Sequence, residues 1–295
     1  MPRPIVAGVD GSREAHAAAE WAAREALRRQ RPLRLVHAGA GLPPDGPAAT
    51  LPELRAPQDL AHQVLRGTAE RLTDRHPELR ILTAQIRRPP APALISETGH
   101  AELLVLGNQG LGSVGGVLVG SVALATVGHA ACPLVLVRAG FGAADELLPA
   151  HDGTPGPSRD VALAVDMAGS CGRVVEFAFR EAELRDAPLR AVYVWHVPFT
   201  TALPDPEHRA ALKAEADRAL GAVLRPWREK FPRVPVRDCV LEGRPSHQAG
   251  RAARGAGLLV IGRRTRRRAV GSRTGPVAHA LIHHADCPVA VVPHD

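Results

Sequence analysis

Short apolar runs that halt at an acid or a glycine alternate along this chain with stretches of helical spacing. Ile5 to Val9 is such a run; it ends at Asp10 and predicts a buried strand. Asp10-Gly11-Ser12 reads as a turn into a helix from Ser12 to Arg29. Its inward stripe is Ala15, Ala18, Ala19, Ala22 and Ala26, with Glu and Arg outside. Leu33 to Ala38 predicts a second strand, and residues 39–57 a long surface loop rich in Gly and Pro. Asp59 to Arg75 reads as a helix, Arg80 to Ile86 as a third strand and Ala93 to Gly99 as a short helix. Leu103-Leu104-Val105-Leu106 then stops at Gly107-Asn108-Gln109-Gly110. A glycine-rich loop, a small-residue helical stretch from Gly120-Ser121-Val122 to Ala131 and a strand from Cys132-Pro133 to Val137 complete the series.

The series then starts again. Val161 to Val165 is a strand, Gly172 to Arg185 a helix and Leu189 to His196 a strand. Pro206 to Phe231 is a helix that Pro226 should kink or break. A strand from Val234 to Val240, a helix from Ser246 to Arg254, a strand from Leu258 to Ile261, a helix from Val277 to His284 and a strand from Val289 to Val292 follow. His129-Ala130-Ala131-Cys132-Pro133 matches His284-Ala285-Asp286-Cys287-Pro288 at an offset of 155. Val9-Asp10 matches Val165-Asp166 at an offset of 156. A repeat this long is a duplicated domain, not a solenoid unit. The expected organisation is a domain at residues 1–139, a linker at 140–158 and a domain at 159–295. Each should be an α/β domain with a five-stranded parallel sheet covered on both faces.

Composition changes this picture little. The chain has 295 residues, enough for two ordinary cores, and no apolar run long enough to cross a bilayer. Met1-Pro2-Arg3-Pro4 leads straight into a strand, so no signal peptide is expected, and the four cysteines (132, 171, 239, 287) form no CxxC pair. The expected compartment is the cytoplasm, with the thiols reduced and structural. Of 37 basic residues 35 are arginine, with Lys213 and Lys230 the exceptions, as a GC-rich coding bias would produce. Charge is nonetheless uneven. Residues 1–148 hold 15 basic and 14 acidic side chains, whereas residues 149–295 hold 22 and 16. The excess gathers in Arg263-Arg264-Thr265-Arg266-Arg267-Arg268. Three readings stand for that run: a solvated loop, a phosphate contact through guanidinium groups, and a nucleic-acid contact. Aromatics are 3% of the chain and none lies in the run, which argues against base stacking.

Asp10 and Gly107 both end strands, so both belong on the carboxyl rim where an open α/β sheet takes ligands. Glycines at 107, 110 and 120 leave room for main-chain amides to meet an anion. Gly120-Ser121 would open a helix whose unpaired N–H groups favour phosphate, with Ser121 as cap or hydroxyl donor. The bland alternative is a tight loop with glycines for packing, and Asp10 as a cap carboxylate. Catalytic signatures are lacking: there is no Gly-x4-Gly-Lys-Ser/Thr, no HExxH and no Gly-x-Ser-x-Gly. His283-His284, adjacent on a helix, points two ways and reads as surface or packing.

Gly107-x2-Gly110-x9-Gly120-Ser121, Val9-Asp10-Gly11-Ser12 and Cys132-Pro133-Leu134-Val135-Leu136-Val137 together resemble the universal stress protein (UspA-like) family of the ATP-binding type, in tandem. The resemblance implies two Rossmann-like (HUP-type) domains. It places Gly107, Gly110, Gly120, Ser121 and Val122 around the phosphates and ribose of ATP, with Mg²⁺ as an allowed companion. Asp10 with Gly11 would lie by the ribose or adenine edge, and Ala38 near adenine. In the second repeat Asp166, Val197, Gly262 and Gly275 remain, but Thr265 stands where Gly110 stands and Pro276 where Ser121 stands. That site is expected to be degenerate, or to hold a ligand mainly through arginine charge. The implied role is a nucleotide-dependent regulator in a bacterial stress or dormancy response, acting on a protein partner the sequence does not name. A nucleotide-independent assembly module and a slow ATP hydrolase are the alternatives. In the family the last strands of two units pair, so an internal pseudo-dimer is expected, and a homodimer is allowed. Neither a membrane nor a nucleic acid is an expected partner.

Overall fold

A computed structural model describes residues 2–39, 52–108, 120–149, 154–169, 171–196, 206–265 and 274–295. The chain divides into two compact units, residues 1–142 and 143–295. The first runs β1 (Ile5–Gly8), α1 (Arg13–Arg29), β2 (Leu33–Ala38), α2 (Pro52–Arg75), β3 (Ile81–Ile86), α3 (Pro90–Glu97), β4 (Leu103–Asn108), α4 (Ser121–His129) and β5 (Leu134–Arg138). Within this unit the strand order is β3-β2-β1-β4-β5, every pair parallel. The second runs β6 (Val161–Val165), α5 (Gly172–Leu184), β7 (Leu189–Trp195), α6 (Pro206–Lys230), β8 (Val236–Glu242), α7 (Pro245–Ala252), β9 (Leu258–Arg264), α8 (Pro276–His284) and β10 (Val289–His294). Its order, β10-β9-β6-β7-β8, is again all parallel and repeats the first. Each unit is therefore a Rossmann-like α/β domain. Its order reverses between the first and fourth strands, and the crevice at that switch point is where such sheets take ligands.

The continuous apolar runs are central strands because parallel sheets are covered on both faces. Leu103, Leu104 and Val105 are fully buried, as are Val161, Ala162 and Leu163. The alanine stripe of α1 is buried as its spacing predicts, joined by Ala23 and by Trp21. Small side chains let the helix axis lie close to the sheet. In α5 the corresponding face is bulkier, with Val174, Val175 and Phe179, and Phe179 stacks on Phe231 with ring centroids 5.6 Å apart.

Several boundaries differ from the sequence expectation. Helix α2 starts at Pro52, inside the predicted loop, and α3 starts at Pro90; proline suits a first helical turn, where its missing N–H is unneeded. Helix α6 continues through Pro226, which forgoes the bond to the Ala222 carbonyl one turn before it while the helix runs on to Lys230. Strand β4 does not stop at Gly107 but pairs Gly107 with Val137 and Asn108 with Arg138. Residues of the expected linker pack in the second unit. A 3₁₀ turn covers Ala143–Glu146, Leu147 bridges Ser158, and Arg159 Nε donates to the Leu147 carbonyl at 2.9 Å. Among the described residues no helix is long and apolar enough to cross a membrane.

Both units carry a buried Glu–Arg pair, one helical turn apart, near the end of the first helix. Glu25 with Arg29 in α1 is repeated 156 residues on by Glu181 with Arg185 in α5, both glutamates being wholly buried. Arg29 also reaches Glu102, at 2.8 Å, and Arg31 reaches its other oxygen at 2.6 Å. Burial pushes the Glu102 carboxyl up, but the hydrogen bonds and charges of Arg31 and Arg29 together outweigh it. The group is held below the usual carboxylate range.

Glu181→Gln leaves the buried Arg185 without its counter-charge and should destabilise the protein by about 3 kcal/mol, read as a lowered urea midpoint. An unchanged midpoint would contradict a structural role for the pair. Because Glu102 ionises at lower pH folded than unfolded, its contribution is fully present above the unfolded pKa and lost as pH falls through the folded one. Between about pH 6 and about pH 3, the urea midpoint of Glu102→Gln should therefore fall less than that of the wild type.

Candidate functional site

The carboxyl rim of the first unit is built from the ends of β1, β2 and β4. Beyond β1, Val9 N donates to Val36 O at 2.9 Å, and the chain turns at the exposed Asp10. Asp10 Oδ1 accepts from Ser12 N at 2.9 Å and from Ser12 Oγ at 2.6 Å. Ser12 Oγ in turn accepts from Ala15 N at 3.1 Å and caps α1. Asp10 is thus not the cap itself; it braces the cap through one oxygen. Gly11 sits at φ +85°, a left-handed conformation that glycine adopts without penalty. Ala38 ends β2 opposite Ile86, half-buried. Beside it lies His37, whose pKa burial lowers against the opposing charge of Asp10, so it stands neutral near that carboxylate. The sequence offered no periodic signal for His37 as a rim residue.

The two glycines of the loop have different reasons to be glycine. A Cβ on Gly107 would lie 2.6 Å from the Glu14 carbonyl carbon and 2.8 Å from Ala15 N, so the first turn of α1 rests directly on β4 there. Among the described residues, a Cβ on Gly120 would meet nothing within 4 Å. Gly120 is the N-cap of α4, with φ −56° and ψ 142°, and makes no side-chain cap bond. Ser121 is therefore the first helical residue and exposed, not the cap; Val122 follows, its carbonyl taken by Thr126 Oγ1 at 2.7 Å. The N–H groups of that first turn have no acceptor within the helix and sum with its dipole. Gly110 lies outside the described residues.

The second rim is filled by its own side chains. Asp166 Oδ1 accepts from Ala168 N at 2.9 Å, and Oδ2 takes the Arg264 guanidinium at 2.8 Å. Helix α5 starts at Gly172, the counterpart of His16, three residues later than α1. Where the first turn of α1 covers Gly107, a Cβ on Gly262 would instead meet the His294 ring at 2.7 Å and Val174 at 3.2 Å. Strands β9 and β10 stay paired to Arg264 and His294; Thr265 N then donates to His294 O and its Oγ1 to Asp295 Oδ1, each at 2.7 Å. Arg263 and Arg264 therefore belong to a strand, Arg263 buried and Arg264 paired, and not to a solvated loop. The sequence hid this because the extra ladder pairs come from β10. Gly275 (φ +74°) caps α8, and Pro276 opens it without an N–H. Val197 and Arg266 to Arg268 lie outside the described residues.

Elsewhere the cysteines are free, Cys132 and Cys287 buried at equivalent repeat positions, and burial pushes the Cys132 thiol up to about 12. Among the described residues no group of three or more His, Cys, Asp or Glu gathers to hold a metal.

The profile of the universal stress protein family matches residues 1–138 and 157–293. A universal stress protein of Mycobacterium tuberculosis is 29% identical over 297 residues, covering 97% of this chain and 96% of its own. One from Mycolicibacterium smegmatis is 31% identical over 300 residues, covering 98% and 96%. The crystal structure of a universal stress protein from Archaeoglobus fulgidus superposes with a TM-score of 0.69 at 14% identity, covering 99% of this chain and 98% of that one, a likeness of fold.

The two glycines predict unequal responses to the same small change. Gly107→Ala should destabilise by about 1–3 kcal/mol, because backbone stands where the methyl must go. Gly120→Ala should cost less than about 1 kcal/mol. Equal losses in urea denaturation would contradict the separation of roles.

Proposed function

Because the chain belongs to the universal stress protein family, we propose that its first unit binds ATP, with Mg²⁺ on the phosphates, and that the protein is a nucleotide-dependent regulator in a bacterial stress or dormancy response. The observation that supports this reading is the N-terminus of α4, where among the described residues nothing lies within 4 Å of a Cβ placed on Gly120 and the cap makes no side-chain bond to the first-turn amides. The residues of the rim fit the group. Ser121 and the first-turn N–H groups suit phosphate oxygens. Asp10 has an acceptor oxygen to offer ribose hydroxyls or the adenine amine, and Gly11 beside it keeps the turn narrow. Ala38 is small enough for a base to lie against. Gly107 serves indirectly, by letting α1 and the Asp10–Ser12 turn sit close to β4.

The second unit does not bind ATP in this reading. Arg264 occupies the carboxylate of Asp166, Thr265 is tied to the end of β10, and Pro276 lacks the amide that Ser121 supplies. Gly262 and Gly275 are inherited positions whose surroundings have changed. In this reading the bound nucleotide is a signal and not a substrate, because Asp10 braces the cap of α1 through one oxygen. ATP would bias the first-unit rim toward one conformation, and a protein partner that distinguishes the two states would read it.

Calorimetric titration of Mg²⁺–ATP into the full chain should give saturable binding near one equivalent. Gly120→Asp, which places a negative side chain before the α4 amides, should abolish it with an unchanged circular dichroism spectrum. Two equivalents would overturn the assignment of the second unit. No binding at millimolar ATP would overturn the nucleotide reading altogether and favour a nucleotide-independent assembly module.

A further inference from the structure

Strand β3 ends the first sheet, and among the described residues β2 is its one neighbour. Leu33 N donates to Arg80 O at 2.9 Å and Gly39 N to Ile86 O at 3.2 Å. In a parallel ladder this turns the main chain of every second residue from Arg80 to Ile86 toward β2. The N–H and C=O groups of Ile81, Thr83 and Gln85 therefore face outward, with no described strand beside them. An unpaired edge is a template for another strand, and charged side chains are a common guard against it. Between Arg80 and Arg87 this strand carries no charge.

Beside that edge a groove of about 560 Å³ lies between β3 and α2. Its helix side is a stripe at four-residue spacing, His62, Arg66, Glu70 and Asp74, all exposed. Among the described residues none of the four is tied down by an ion pair. The strand side is Thr83 and Gln85, and Gln85 Nε2 is buried without an acceptor. The second unit straps the equivalent place shut. There Arg228 of α6 pairs with Asp238 of β8 at 2.7 Å, whereas 155 residues earlier stand Thr73 and Thr83, which cannot form that pair.

We propose that this groove takes an extended segment of a protein partner, which adds to β3 as a new outer strand. Main-chain bonds to Ile81, Thr83 and Gln85 supply the affinity, and the stripe on α2 supplies the selectivity. From His62 to Asp74 the helix rises about 18 Å, the length of about five or six extended residues. Helix α2 joins two parallel strands and so runs back against them. His62 and Arg66 thus lie toward the carboxyl rim, and Glu70 and Asp74 toward the amino ends. The segment that fits is acidic at its rim end and basic at the other. Paired antiparallel, the slightly stronger geometry, it reads acid first and base last. A second copy of this chain fits less well, because antiparallel pairing through β3 brings its Arg80 to the basic end. The site needs no nucleotide, so its failure would leave the ATP assignment standing.

The test titrates the full chain, free of nucleotide, into a fluorescein-labelled peptide, Glu-Thr-Val-Thr-Val-Lys with blocked ends, followed by anisotropy. Saturable binding with a Kd of about 10–100 μM is expected, with slowed hydrogen exchange at the Thr83 and Gln85 amides. A peptide with lysine at both ends should bind about fivefold more weakly. Thr73→Arg with Thr83→Asp, which imports the ion pair of the second unit, should keep the circular dichroism spectrum and weaken binding at least about tenfold. The proposal fails if the wild type binds no peptide saturably up to about 1 mM. It also fails if the double variant binds as wild type, or if the amides protected on binding lie away from β3. Self-association that protects β3 without peptide would give the edge to a second copy and overturn the assignment.

Discussion

How near the first helix can come to the sheet decides the shape of each rim. In the first unit the helix arrives early and close, on an alanine face, and its opening turn rests on the Cα of Gly107. That contact fixes where Ser12 caps the helix and where Asp10 points. In the second unit the helix begins three residues later, behind a bulkier face, and the space it vacates is taken by His294 and Arg264. One change of helix start therefore accounts for two differences at the rim: the side chain over Gly262 and the guanidinium on Asp166.

The amino ends of the strands show the opposite history. There the duplicated units keep the same buried Glu–Arg pair, although a glutamate with no exposed surface is expensive unless its partner is held in place. A device retained in both copies, below sheets of identical strand order, belongs to the fold. Features that differ between the copies gather at the carboxyl rim and along the β3 and β8 edges.

Much of the architecture was legible from residues 5–9, 33–38, 103–106 and their repeats, because an inner strand of a parallel sheet covered on both faces is mostly apolar. The repeat offset located the second set without further argument. What escaped was set by neighbours distant in sequence. Nothing local in Gly262-Arg263-Arg264 says strand; β10 supplies the ladder that makes it one. The run of arginines suggested a charged loop, and its first two members are instead a buried residue and half of an ion pair. For the candidate site, the glycine spacing pointed to the right region but not to the division of labour. Gly107 and Gly120 look alike in the sequence and differ only in what stands beside their Cα atoms. Of the two roles open to Ser121, cap or hydroxyl donor, Gly120 takes the first. On α8 the rings that meet are His279 and His283, one turn apart, and not the adjacent His283 and His284.

The burial of Trp21 under the alanine face of α1 has an optical consequence. The chain's three tryptophans are Trp21, in the first unit, and Trp195 and Trp227, in the second. With both second-unit indoles replaced by phenylalanine, and excitation on the red edge that spares Tyr193, emission would come from Trp21 alone, which is 1% exposed. Its fluorescence would then follow the opening of the first sheet while the rest of the protein stayed dark.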